Sequence, residues 1–185
     1  MPRAQLDQSP IDLSALAESL QAARNDKELF NTIVNAPFGF RKETVKMSLG
    51  ILVFLQVNPK TKMIDRVALS DNELAKGTTE MSVKKFEDIR IPLGDKKNSI
   101  AEAIRSNEPQ IVSDWQYLFT PALTPTQARF NQAAGAIGCS VVYPLNGARN
   151  GGAMIFSYFK YPVGITEQDH AFMRAYCELV INCLK

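Results

Sequence analysis

The chain predicts an α+β fold: an antiparallel sheet of about six strands, terminal helices packed on one face, and short helices with loops covering the other. Three observations lead there. Strand-like runs at Ser48–Val57 and Met63–Leu69 are joined only by Asn58-Pro-Lys-Thr61, which is turn chemistry. The runs Ser140–Leu145 and Ala153–Phe159 are joined only by Asn146-Gly-Ala-Arg-Asn-Gly-Gly152. Links this short connect antiparallel neighbours, because parallel strands need a crossover of about a dozen residues or more. Helical periodicity brackets these strands at both ends of the chain.

Taken in order, Ser9-Pro10-Ile-Asp12 is a helix start, with Ser9 as N-cap, Pro10 at the first helical position and Asp12 in the first turn. Ile11, Ala15, Leu16 and Leu20 form its apolar stripe. Asn25-Asp-Lys-Glu28 is a second cap, followed by the stripe Leu29, Phe30, Ile33, Val34. Residues 10–35 therefore read as two short helices or one bent helix, ending near Asn35 before Pro37. After the first hairpin, Asp71–Ser82 is polar and reads as a loop with a helical turn. Phe86–Ile91 alternates and predicts a strand, with Arg90 on one face and Ile89 and Ile91 on the other.

Asn98–Asn107 predicts a short helix with Ile100, Ala103 and Ile104 on its apolar face, stopped by Glu108-Pro109. Gln110–Ser113 is a short strand. Asp114–Leu123 is an aromatic loop. Thr124-Pro-Thr-Gln127 is a capping box opening a helix that ends near Gly135 or Gly138. Thr166-Glu-Gln-Asp169 caps the final helix. There Phe172, Tyr176, Leu179 and Cys183 repeat at 4-3-4 spacing, flanked by Met173, Val180 and Leu184. That stripe is wider than one seam, so one side can meet the sheet and the other a partner helix.

Composition excludes several classes. A chain of 185 residues, 45% apolar and 22% charged, suits one soluble globular domain. The net charge of +2 gives no basic field, so no nucleic-acid partner is expected. No apolar run approaches the roughly 20 residues of a membrane helix, and Met1–Asp7 contains no signal-peptide core. Three cysteines without close spacing fit a reducing compartment. A cytoplasmic protein without membrane contact is expected. No Ser-His-Asp order, phosphate-cradling loop or metalloprotease motif occurs. The single histidine, His170, gives no zinc set, so neither catalytic nor metal residues are assigned.

Four segments carry a family resemblance. Asn98-Ser-Ile-Ala-Glu-Ala-Ile-Arg-Ser-Asn-Glu-Pro-Gln-Ile-Val-Ser-Asp114 resembles the GAF-domain passage from a short helix through a Pro turn into a strand ending in Asp. Ile137-Gly-Cys-Ser-Val-Val-Tyr-Pro-Leu145 resembles the strand ending in Pro-Leu. Gly151-Gly-Ala-Met-Ile-Phe156 and Ile165-Thr-Glu-Gln-Asp169 resemble the next strand and the start of the final helix. They occur in the family's order and spacing, and the resemblance extends over nearly the whole chain. The resemblance implies a PAS-related fold with a small-molecule pocket between the sheet and the middle helices, or a dimerisation module. Such domains are usually attached to a kinase, cyclase, phosphodiesterase or transcription factor. Some relatives bind cyclic nucleotides, bilins or haem, and a few are enzymes. The chain departs from the bilin type, because His170 lies in the final helix away from any adjacent cysteine. It departs from the cyclic-nucleotide type, because Lys85-Phe-Glu-Asp88 has that pattern's residue types in the wrong order.

The resemblance divides the chain into an N-terminal helical segment, 1–35, suited to dimerisation within the same domain, and a sensor core, 36–185. It makes the aromatic loop a candidate lid, with Trp115, Tyr117 and Phe119 as ligand contacts; the alternative is that Trp115 and Phe119 staple the loop to the core. Arg90 and Arg129 are candidates to clamp a carboxylate or phosphate, or else are solvated or paired. Ser140, Tyr143 and Tyr158 are candidate inward polar handles, or else hydroxyls satisfied by backbone or water. The expected function is ligand sensing, signalled through paired terminal helices to an output domain or partner. The alternatives are a ligand-free homodimerisation module and an enzyme similar to the GAF-type free methionine sulfoxide reductases, with Cys139 near the pocket. No cofactor or ligand is identified by the residues.

Overall fold

The computed structural model describes residues 12–39 and 47–185. Six strands form one sheet in the order β3-β2-β1-β6-β5-β4, every neighbouring pair antiparallel. They are β1 Leu49–Val57, β2 Met63–Leu69, β3 Ile91–Pro92, β4 Gln110–Val112, β5 Cys139–Pro144 and β6 Gly152–Tyr158. The helices are α1 Ser14–Gln21, α2 Asp26–Gly39, α3 Glu73–Glu80, α4 Ser99–Ser106, α5 Gln116–Phe119, α6 Pro125–Ala134 and α7 Glu167–Cys183. The predicted α+β class and antiparallel sheet are observed.

Side-chain alternation separates two cores. Leu52, Phe54, Val141, Met154, Phe156 and Tyr158 face α1, α2 and α7, meeting Leu16, Leu20, Ile33, Phe172, Tyr176 and Val180. Ile51, Val53, Leu55, Ile64, Val142 and Ile155 face the other way, against Ile100, Ala103, Leu118 and Ala128 of the middle helices. The central strands β1 and β6 are buried on both faces, which is why they read as continuous apolar runs.

Turn residues fix both hairpins. Asn58 Oδ1 accepts from the Lys60 and Thr61 amides at 3.1 and 3.2 Å, and Lys62 takes the left-handed φ of 58°. In the second hairpin Gly152 has φ 154°, and a Cβ there would collide with the Leu55 carbonyl oxygen. Glycine is therefore required where β6 begins against β1.

Several boundaries differ from the sequence reading. The Ser9 cap and Pro10 lie outside the described residues; α1 starts at Ser14, whose amide donates to Asp12 Oδ1 at 3.0 Å, so Asp12 precedes the helix. α2 does not stop before Pro37 but runs through it to Gly39. Pro37 has no amide to bond the Ile33 carbonyl, and the Tyr176 hydroxyl supplies that bond instead at 2.7 Å. Tertiary contact from α7 thus lets a proline sit inside a helix. Residues 71–82 hold a full helix, α3, because Asn72 Oδ1 caps the Ala75 amide at 2.9 Å. Phe86–Ile91 is not a strand. Phe86–Asp88 forms a 3-10 turn, and only Ile91–Pro92 pairs with β2. Two-residue periodicity over six residues cannot distinguish a strand from a turn whose Ile89 packs inward.

Candidate functional site

A cavity opens on the middle-helix face of the sheet. Its floor is Ile51 and Val53 of β1 and Ile155 and Ser157 of β6. Trp115, Leu118 and Phe119 cover one side, and α3, with the loop carrying Ser82 and Lys84, forms the other. The cavity is a partly open cleft: the space in which a water-sized sphere can be centred is about 50 Å³, and the whole space including the mouth and the solvent before it is about 520 Å³.

The roof is held by a buried asparagine. Asn98 Oδ1 caps α4 by accepting from the Ile100 and Ala101 amides at 2.9 and 3.2 Å. Its Nδ2 donates to the Leu118 and Thr120 carbonyls at 3.0 and 2.8 Å. All four hydrogen-bonding capacities of this amide are used, two for the helix and two for the aromatic segment. From the other end, Gln132 of α6 accepts the Trp115 amide at 2.9 Å and donates to the Ser113 carbonyl at 2.9 Å. The Trp115 and Phe119 rings meet edge-on, 5.0 Å between centroids.

Trp115 also begins a directed hydroxyl chain. Its Nε1–H donates to Ser140 Oγ at 2.9 Å, and Ser140 Oγ lies 2.8 Å from Ser157 Oγ, the residue directly opposite it in the sheet. Ser140 is fully buried, and Ser157 is its only other hydroxyl partner among the described residues. Either hydroxyl can donate in this pair; in the arrangement where Ser140 donates, the Ser157 proton is left for whatever enters the cavity.

Arg66 supplies the charge. It stands on β2 with Ile64, two residues earlier on the same face. Its guanidinium lies 5.3 Å from the centroid of Phe86 and 4.4 Å from that of Phe119. Nη2 is buried and has no hydrogen-bond partner among the described residues. Loss of water around the group pulls its pKa well below the usual guanidinium value, to about 9. The Thr78, Thr79 and Asn131 side chains each donate to the protein, while the Ser82 hydroxyl accepts and keeps its own proton. Thr78 and Thr79 donate to the Leu74 and Ala75 carbonyls at 2.9 and 2.8 Å, and Asn131 Nδ2 donates to Ser82 Oγ at 3.0 Å.

Of the residues the sequence singled out, Trp115 and Phe119 line this cavity, and Ser140 reaches it through Ser157. Tyr117, from the same segment, is 50% exposed on the outside of the turn. Arg90 is exposed and paired with Asp65 at 3.4 Å, away from the cavity walls. Arg129 pairs with Asp114 at 2.9 Å, which anchors the start of the aromatic segment instead of facing inward. Tyr143 and Tyr158 stand on the opposite face, packed in the core under α7. Inside a strand one residue of offset decides the face, and Ser140 and Tyr143 are separated by an odd number. Cys139 is on that opposite face too; its thiol donates to the Lys160 carbonyl, and burial pushes its pKa up to about 11. Cys177 is buried in α7 and Cys183 is partly buried near its end.

The sequence reading missed Arg66, Ser157, Phe86 and the bracing role of Asn98. For Arg66 half a signal existed: alternation places it on the face of Ile64, but Leu69 joins that face only through the register shift opposite Phe54 and Leu55. For Ser157 none did, because its role depends on the cross-strand register with Ser140.

No metal-binding group of three or more His, Cys, Asp or Glu occurs among the described residues, nor any helix long and apolar enough to cross a membrane. No protein-family model and no curated protein matches the sequence. Solved structures do match the fold. The GAF domain of an Acinetobacter phosphoenolpyruvate-protein phosphotransferase aligns with TM-score 0.59 at 10% identity, over 93% of this chain and 89% of that one. A structure described only as a GAF domain aligns with TM-score 0.59 at 13% identity, over 94% and 87%. Free methionine-R-sulfoxide reductase from Neisseria meningitidis, in complex with its substrate, aligns with TM-score 0.58 at 11% identity, over 93% and 85%. The fold is therefore GAF-like, shared by regulatory domains and by reductases of a free amino acid.

Proposed function

We propose that this GAF-fold chain is a ligand-sensing regulatory module: a small molecule occupies the cavity, and its presence is passed through the terminal helices to an output domain or partner. One observation carries the reading. A guanidinium lies partly buried among aromatic and aliphatic walls beside open space, and its Nη2 is buried without a hydrogen-bond partner among the described residues. A purely structural core gains nothing from that arrangement, since an unpaired buried charge costs stability. A ligand that pairs with it turns the cost into affinity.

The sheet supports a route for the signal. In β6, Ser157 faces the cavity while its neighbours Phe156 and Tyr158 face the terminal helices. Phe156 meets Phe172 of α7 edge-on at 6.4 Å, and Tyr176 of α7 bonds the Ile33 carbonyl of α2. A shift of β6 is therefore felt by both helices. Leu13 and Ala17, at α1, and Ala175 and Leu179 of α7 line a shallow groove that suits a partner helix, which supports a homodimer through residues 1–35 and α7. Three unpaired cysteines support the cytoplasm as its compartment.

A dimerisation module without ligand would call for a filled cavity, and the inner space has room for about three to five waters at 10–15 Å³ each. Sulfoxide reduction by a protein thiol needs sulfur at the substrate, whereas Cys139 and Cys177 are buried under the opposite face. The regulatory reading is therefore favoured over the enzymatic one. Native mass spectrometry of small molecules co-purifying with the protein tests it, combined with titration followed by the fluorescence of Trp115, the sole tryptophan. A ligand that perturbs Trp115 should also change amide exchange in α1, α2 and α7. A fluorescence response with unchanged helix exchange would refute signalling through those helices.

A further inference from the structure

Size, charge and wall chemistry of the cavity together select a ligand class, given the sensing reading above. The inner space holds a molecule of roughly four to six non-hydrogen atoms, judged from its water capacity. A nucleotide, bilin or haem is several times larger. The walls beside the guanidinium are aliphatic and aromatic: Ile51, Val53, Ile155 and Leu118. Of the two cations among the lining residues, Arg66 is the half-buried one, its Nη2 fully covered, while Lys84 stands at the exposed mouth. The Thr78 and Thr79 hydroxyls are spent on backbone carbonyls. A phosphate, with more charge and four oxygens, would have Arg66 and the Ser82 and Ser157 hydroxyls as donors but would have to shed more hydration against a mostly apolar lining. A carboxylate needs the planar fork of one guanidinium and one further donor, which the Ser157 hydroxyl provides.

We propose that the cavity binds a short-chain organic monocarboxylate of about two to four carbons, its carboxylate on Arg66 between the Phe86 and Phe119 rings and its carbon tail on Ile51, Val53 and Ile155. The two rings hold the guanidinium in place, so little side-chain ordering remains to be done on binding. So few atoms cap the affinity near micromolar, and dissociation constants between about 10 μM and 10 mM are expected.

The test uses the full chain with acetate, propionate, butyrate, propionamide and inorganic phosphate at matched ionic strength, read by saturation-transfer NMR and thermal shift. Propionate should bind saturably, with transfer from the aromatic rings to its methyl group. Propionamide, of the same shape without the charge, should bind at least about tenfold more weakly. Arg66→Met should abolish propionate binding, and Arg66→Lys, which keeps the charge without the fork, should weaken it at least about tenfold. Ser157→Ala should weaken it severalfold while the thermal unfolding of the unliganded protein stays cooperative. Equal binding of propionate and propionamide, tighter binding of phosphate, unchanged binding by Arg66→Met, or no binding of any carboxylate up to on the order of 50 mM would each overturn the assignment. A neutral or phosphorylated molecule found co-purifying in the cavity would overturn the carboxylate class and leave ligand sensing standing. Helix exchange that ignores a bound carboxylate would do the reverse.

Discussion

Replacing Arg66 by methionine should stabilise the unliganded protein. Lost hydration lowers the guanidinium's pKa from its usual value to about 9. At about 1.4 kcal/mol per tenfold change in the equilibrium, that drop amounts to roughly 5 kcal/mol disfavouring the charged form. The residue is only half-buried overall, and water at the mouth reduces the figure. Two ring contacts, to Phe86 and Phe119, return about 0.5–2 kcal/mol each. Methionine fills most of the arginine stem's volume with an unbranched, polarizable chain. The net gain is about 1–3 kcal/mol at pH 7, or a rise in Tm of roughly 2–12 °C for a domain of this size.

The gain also has a definite pH dependence. Below pH 9 Arg66 is charged in both folded and unfolded states, so the full penalty is present. Above about pH 9, up to the ordinary guanidinium range, the unfolded chain binds more protons than the folded one, so wild-type stability rises with pH relative to the variant. The difference between Arg66→Met and wild type should therefore shrink from pH 7 to pH 10.5. Urea unfolding at both pH values, followed by far-UV circular dichroism, measures it. An Arg66→Met protein less stable than wild type by 2 kcal/mol or more at pH 7 would refute the reasoning, because it would mean the guanidinium holds a partner in the folded state.

Other expected outcomes concern the frame around the cavity and the far face. Asn98→Ala removes the α4 cap and both bonds to the aromatic segment, and should cost about 2–4 kcal/mol in denaturant unfolding with increased amide exchange over residues 115–120. Tyr176→Phe leaves the Ile33 carbonyl without the partner that Pro37 cannot supply, and should cost about 1–3 kcal/mol, with exchange rising first in α2. In thiol labelling at pH 8 of the folded protein, Cys183 should react first. Cys139 and Cys177, both buried and with raised pKa, should react only on the timescale of unfolding. Rapid labelling of Cys139 would show that the face beneath α7 opens far more readily than its packing implies.

The elements that local chemistry governs were legible in the chain. Caps at Thr124 and Thr166, the Asn58 turn and the glycines before β6 are short-range devices, and each works within a few residues of itself. They were enough to lay out the strands, the antiparallel pairing and the terminal helices. The resemblance added a GAF-like frame, with Trp115 and Phe119 as candidates. What the sequence could not determine were features fixed by contacts between distant segments. Ile33 tolerates a proline four residues on because Tyr176, far along the chain, meets its carbonyl. Ser157 meets the Trp115–Ser140 pair only through its register opposite Ser140. Arg66 becomes the charged wall of a cavity because a turn at Phe86 and a helix ending at Phe119 bring rings to both sides of it. Local sequence sets backbone propensity, but which face a side chain takes, and what closes over it, depends on packing free energies summed across the whole chain.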